Sequence, residues 1–161
     1  MKKFLCAFLA VALLAFAAGC AQQQTDEPTE PAASVVTFYQ AIGGLERLYI
    51  SRIDIENCET GEVRTTEDGG YIYNVYNQLK NQEFHITGDS QGEQQYRIEL
   101  FDNAGGSVCY TFDQGFEARE GYTKTVLAGA CVAADAEQIG YILSMFFNTL
   151  PPADLQLDSV E

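Results

Sequence analysis

Residues 96–112 read Tyr-Arg-Ile-Glu-Leu-Phe-Asp-Asn-Ala-Gly-Gly-Ser-Val-Cys-Tyr-Thr-Phe. Tyr96, Ile98 and Leu100 alternate with Arg97 and Glu99, and Val108, Tyr110 and Phe112 resume the alternation further on. A period of two places one set of side chains on one face of a strand, so each arm is a half-buried strand. Asp102 to Gly106 lies between them and is rich in residues that tolerate positive φ, which predicts a β-hairpin. One apolar face and one polar face per strand predict an antiparallel sheet packed on one side and wet on the other.

Working outward, Leu45 to Glu56 alternates in the same way. Leu48, Ile50, Ile53 and Ile55 stand against Glu46, Ser51, Arg52, Asp54 and Glu56, with one slip between Ile50 and Ile53 that predicts a bulge. Asn57 to Gly61 is a turn, and Glu62 to Thr66 returns as the second arm of a hairpin. The period then changes. Asp68 is a suitable N-cap, and Ile72, Val75, Tyr76 and Leu79 follow at helical spacing, predicting a helix over 69–80. Upstream, Val35, Val36, Phe38 and Tyr39 predict a strand over Ser34 to Gln40, ended by Gly43-Gly44. Glu83 to Thr87 reads as a strand, and Gly88 to Gln94 as a polar loop.

Downstream, Asp113 to Lys124 is a charged connection carrying a small ribbon, and Thr125 to Ala128 is read as the last strand, leading into Ala130-Cys131-Val132. Asp135 caps a second helix, with Gln138 at capping-box distance and Ile139, Ile142, Leu143, Phe146, Phe147 and Leu150 on its apolar face; Pro151 ends it. The order β-β-α-β-β-β-β-α predicts an α+β fold of two layers, a mainly antiparallel sheet with two helices packed on one face. Residues 35–150 form that single domain, and 151–161 are a mostly polar tail in which Leu155 and Leu157 leave a short edge strand open.

The N-terminal end has a different character. Lys2 and Lys3 precede an uncharged apolar run from Phe4 to Phe16, closed by the small residues Ala17-Ala18-Gly19 and then Cys20. This is the layout of an export signal, and the run is shorter than the roughly 20 apolar residues of a spanning helix. Cys20 to Ser34 holds Gln, Thr, Glu and Pro without a large apolar residue, so it reads as a flexible stalk. Ala17-Ala18-Gly19-Cys20 resembles the lipobox of bacterial lipoproteins, with Ala in place of the usual first Leu. The resemblance implies removal of residues 1–19, a diacylglycerol on the Cys20 thiol (palmitate being a typical acyl chain), and a domain held on the extracytoplasmic side of a cell membrane. The folded part is also similar to small uncharacterised α+β domains of Gram-positive lipoproteins, through Leu79-Lys80 at a helix end and Leu100-Phe101-Asp102 leading to Gly105-Gly106. That likeness implies no activity.

The chain carries 23 acidic and 9 basic residues, a net charge of −14. Loss of Lys2 and Lys3 makes it more negative. Such a surface repels nucleic acid and anionic headgroups, so phosphate-directed DNA or RNA binding is not expected, and the domain is expected to stay off the bilayer.

His85 is the single histidine. It falls on the face of its strand opposite Phe84 and Ile86, and a general base or metal ligand would have to be built on it. No zinc spacing can be made from one histidine, and no Gly-x-Ser-x-Gly is present. Cys58, Cys109 and Cys131 remain in the folded part, an odd number; outside the cytoplasm, a disulfide joining Cys131 to Cys58 or to Cys109 is expected. Asp54, Glu56 and Glu59 cluster near the first turn, and Asp102 to Gly106 superficially resembles a calcium loop without the EF-hand ligand pattern. No metal or other cofactor is expected. Tyr73 should face away from Ile72 and Leu79, and an exposed tyrosine there points to a binding surface.

Two functions follow. One is a non-enzymatic binding module for an envelope protein or peptide, using an exposed sheet face or edge strand. The other is a small hydrolase or thiol enzyme using His85 or a free cysteine.

Overall fold

A computed structural model describes residues 34–86, 95–127 and 131–151. Residues 1–33, read from the sequence as a signal and a stalk and including Cys20, together with Thr87, the expected 88–94 loop, residues 128–130 and the tail beyond Pro151, lie outside the described residues. In chain order the elements are β1 (Val35–Thr37), α1 (Phe38–Ala41), a 3-10 turn (Arg47–Tyr49), β2 (Ile50–Asn57), β3 (Glu62–Thr66), α2 (Gly69–Leu79), β4 (Glu83–Ile86), β5 (Tyr96–Asp102), β6 (Ser107–Thr111), β7 (Gly115–Ala118), β8 (Cys131–Ala133) and α3 (Ala136–Thr149).

The fold is α+β and its strands pair antiparallel, but in two sheets rather than one: β3-β2-β5-β6-β7 and β1-β4-β8. The β5–β6 hairpin sits at the centre of the larger sheet, with Ile98 opposite Tyr110 and Leu100 opposite Val108. Its turn is closed by Asp102, whose Oδ1 accepts from the amides of Ala104 and Gly106 at 2.9 Å, and Gly105 takes the positive φ of +92°. The register slips between Ile50 and Arg52, where the broken alternation calls for a bulge. Ser51 there donates through Oγ to the carbonyls of Phe101 and Asp102.

Three strand expectations are corrected. The strand read over Leu45 to Glu56 begins only at Ile50, because Arg47–Tyr49 form a 3-10 turn that leaves Leu48 exposed. The first strand stops at Thr37, because Thr37 and Gln40 form a capping box that starts the short α1. The amides of Phe38 and Tyr39 donate to the carbonyls of Gln82 and Lys80, turning Phe38 into the core with no exposed surface. Residues 125–127 are not a strand; Leu127 is tied to Ala41 by a single backbone bond, and the strand lies at Cys131–Ala133, paired with β4.

Both long helices start on aspartate caps. Asp68 accepts from Gly70 and Tyr71, and Asp135 accepts from Gln138. They bury Ile72, Val75, Tyr76 and Leu79, and Ile139, Ile142, Leu143, Phe146 and Phe147, in one core with Ile53, Ile55, Ile98 and Leu100. Arg64 closes the end of α3 by donating to the Leu150 carbonyl at 2.7 Å while pairing with Glu62 at 2.6 Å. Phe84 of the small sheet meets Tyr110 and Phe116 of the large one, so the small sheet covers the same inner face as the helices.

Candidate functional site

Register fixes what the other face of the large sheet carries. Thr65, Asp54, Glu99, Cys109 and Glu117 form one row across the five strands. Glu56 beside Arg97 lies on one side of that row, and Arg52, Phe101 and Ser107 lie on the other. Strand alternation puts this polar set outside because the intervening residues, Ile53, Ile55, Ile98, Leu100, Val108 and Tyr110, are the core.

The charges on this face are matched to one another. Arg52 Nε lies 3.2 Å from Asp54 Oδ1, and its guanidinium sits 3.6 Å from the Phe101 ring centroid. Arg97 pairs with Glu56, and Arg119 lies 3.9 Å from Glu99 and 3.8 Å from Glu117. Ser107 Oγ donates to Glu99 at 2.5 Å. Burial under this crowd raises the Asp54 carboxyl above its usual range, against the lowering by the Thr65 hydroxyl and Arg52. Cys109, between Glu99 and Glu117 in the strand register, is buried, and burial pushes its thiol up to about 11.

At the end of the sheet marked by the β2–β3 turn, the face opens into a groove of about 570 Å³. Cys58, Arg97, Thr111, Gln114, Glu117 and Arg119 are among its walls. Beside it runs β7, an outer strand of the five, one backbone edge of which has no partner strand among the described residues. The groove is therefore polar, of both signs, and adjacent to an open strand edge.

The candidate residues read from the sequence are not brought together. Cys58, Cys109 and Cys131 are all free, so the expected disulfide of Cys131 with Cys58 or Cys109 is not formed. The register explains why: Cys109 is on the outer face of the large sheet, whereas Cys131 pairs with Ile86 and joins the core on the inner side. Cys58 is exposed in the turn after β2, and burial followed by the nearby Glu56 charge raises its thiol. His85 sits mid-strand between Val35 and Val132, one residue out of phase with Cys131, so the two point to opposite faces of the small sheet. Its Nδ1 has no hydrogen-bond partner among the described residues. No three His, Cys, Asp or Glu side chains converge as a metal would require among those residues. Tyr73 is exposed. The groove itself was not foreseeable, since its walls come from residues 58–59, 95–97 and 111–119, joined only by strand pairing.

The chain matches no family model, and no curated protein or solved structure is significantly similar to it. Among the described residues no helix is long and apolar enough to cross a membrane.

Proposed function

We propose that the chain is a lipoprotein, held on the extracytoplasmic side of a membrane by acylation of Cys20, whose α+β domain is a non-enzymatic module that binds an extended peptide or envelope protein. The tripartite N-terminal segment and the lipobox-like Ala17 to Cys20 support the anchor. Two acyl chains give the stable attachment that one chain does not. The observation that carries the binding role is the groove of about 570 Å³ beside the open edge of β7.

An extended segment laid along β7 would gain main-chain hydrogen bonds, and its alternate side chains would enter the groove. Arg97 and Arg119 are held in place by Glu56, Glu99 and Glu117, so they meet a ligand carboxylate with little loss of side-chain freedom. Glu59 and Asp113 supply the opposite sign for a basic side chain. The test is a photo-crosslinking amino acid at Gln114 in the intact chain, in its own membrane. A discrete adduct is expected that is missing with the probe at Ser144 on α3 and lost in the Arg97→Glu/Arg119→Glu variant. Identical adducts from both positions, or adducts indifferent to the arginines, contradict the proposal.

A further inference from the structure

The positive charge of this acidic chain is unevenly used. Arg52, Arg64, Arg97 and Arg119 each lie within ion-pair distance of a carboxylate. Arg47, Lys80 and Lys124 form no ion pair among the described residues, and all three belong to one region of the surface. Arg47 stands over the Tyr73 ring at 5.6 Å, and Lys124 over the Tyr49 ring at 6.0 Å. Lys80 accepts from the Tyr39 amide through its carbonyl. Between them the 3-10 turn presents Leu48, 68% exposed, and Tyr49, 54% exposed; Tyr73 is 53% exposed. The region is continuous, because Tyr39 packs beside Gly44, and Gly43 lies against Lys124 and Thr125. An open hollow of about 330 Å³ runs beside Tyr49 and Lys124. Carboxylates near this region among the described residues include Glu46 in the turn's approach, Glu83 next to Gln82, Glu120 next to Gly121, and Asp102, the last engaged by two amides.

Exposed tyrosines with a leucine and unpaired cations are the composition that settles at a membrane interface, where the ring is half wet and the cation meets lipid phosphate. Charges further away than the Debye length of about 8 Å are screened, so the net charge of −14 does not decide what this patch meets. The chain between Cys20 and Ser34 argues for the same occupant. It is fifteen residues long, and Tyr39 follows within five residues of its end. We infer that Tyr39, Leu48, Tyr49 and Tyr73, with Arg47 and Lys124, form a face that docks on the phospholipid headgroups of the membrane carrying the anchor.

This inference rests on the acylation of Cys20 and runs against the expectation, drawn from net charge, that the domain stays off the bilayer. Its geometry has a consequence for the groove. Tyr49 precedes the first residue of β2, and Cys58 and Glu59 follow the last. At about 3.3 Å per residue the eight residues of β2 separate the two ends by roughly 25 Å. A domain seated on its tyrosine end presents the groove away from the lipid.

The chain has no tryptophan, so Leu48→Trp and Glu59→Trp each supply a single fluorescent probe. The acylated full-length variants are reconstituted in phosphatidylcholine–phosphatidylglycerol vesicles carrying a headgroup nitroxide lipid. Flotation reports anchoring, and quenching reports docking. Quenching severalfold stronger for the Leu48 probe than for the Glu59 probe, reduced by Arg47→Glu/Lys124→Glu, is expected. Equal quenching in a chain that floats overturns docking and leaves the anchor standing, whereas a chain without an acyl group overturns both. A Leu48 probe shielded without lipid in a concentration-dependent way would assign the patch to a second copy and overturn the lipid assignment. Quenching seen only in native membranes would assign it to a protein and overturn it equally.

Discussion

Phe84 and Phe116 meet edge to face, ring centroids 5.0 Å apart and planes at 71°, and this pair fastens the three-stranded sheet to the inner face of the five-stranded one. Phe38 and Tyr110 complete the cluster, with Phe38 5.4 Å from Phe116 and Tyr110 5.2 Å from Phe84. Phe84 has no exposed surface.

Truncating Phe84 leaves a cavity where two sheets meet. Phe84→Ala is expected to destabilise the domain by about 3–5 kcal/mol. Urea unfolding measures this, and a loss below about 1 kcal/mol would mean that the small sheet contributes little to the core.

Two glycines separate backbone conformation from space. Gly61 has φ +72° with nothing within 4 Å of an added Cβ, whereas a Cβ on Gly106 would lie 2.3 Å from the backbone of Gly121 and Tyr122. Gly61→Ala should cost about 1–2 kcal/mol, the penalty for a left-handed residue. Gly106→Ala should cost more, because the crossing backbones must separate. Equal midpoints in denaturant would contradict that close approach.

The three free thiols should differ in reactivity. Cys58 is exposed and should react with an aromatic disulfide reagent in the native state, while Cys109 and Cys131 react only on unfolding. Recovery of fewer than three domain thiols from the reduced-free purified chain would indicate a disulfide after all.

Alkaline pH should destabilise the fold. The folded state holds the Cys109 proton from the ordinary 9.0 up to about 11, and the Tyr122 proton from 10.0 up to about 12, in both cases through burial. A folded state that binds protons more tightly loses stability as pH rises between the unfolded and folded values, so stability falls from about pH 9, the Cys109 share being lost by about pH 11 and the Tyr122 share by about pH 12, while the buried Tyr110 hydroxyl, raised further still, continues the fall beyond. The Cys109 part is of order 2 kcal/mol. Denaturant midpoints that stay flat from pH 8 to 11 would contradict the buried thiol.

Much of the fold was legible in the residues. The hairpin over 96–112, the bulge near Ser51 and the Asp68 and Asp135 caps each leave a local mark in period or capping chemistry. The short α1 left one too, the Thr37–Gln40 box, but the β-prone Val35, Val36, Phe38 and Tyr39 outweighed it. Alternation shows which face of a strand is buried and not which strand it joins, so the division into two sheets was not legible. Nor was β8, whose three residues are too few to show a period. Of the sites, the exposure of Tyr73 could be read from helical phase. The groove and the Arg47–Tyr73 and Lys124–Tyr49 pairs could not, because their members are far apart in the chain.

The most direct test of the account is metabolic labelling with an alkyne fatty acid, comparing the native chain with Cys20→Ala. A labelled, membrane-fractionated chain beginning at Cys20 is expected, and for Cys20→Ala no label and no stable membrane fraction. An unlabelled native chain, or label that survives Cys20→Ala, would contradict it.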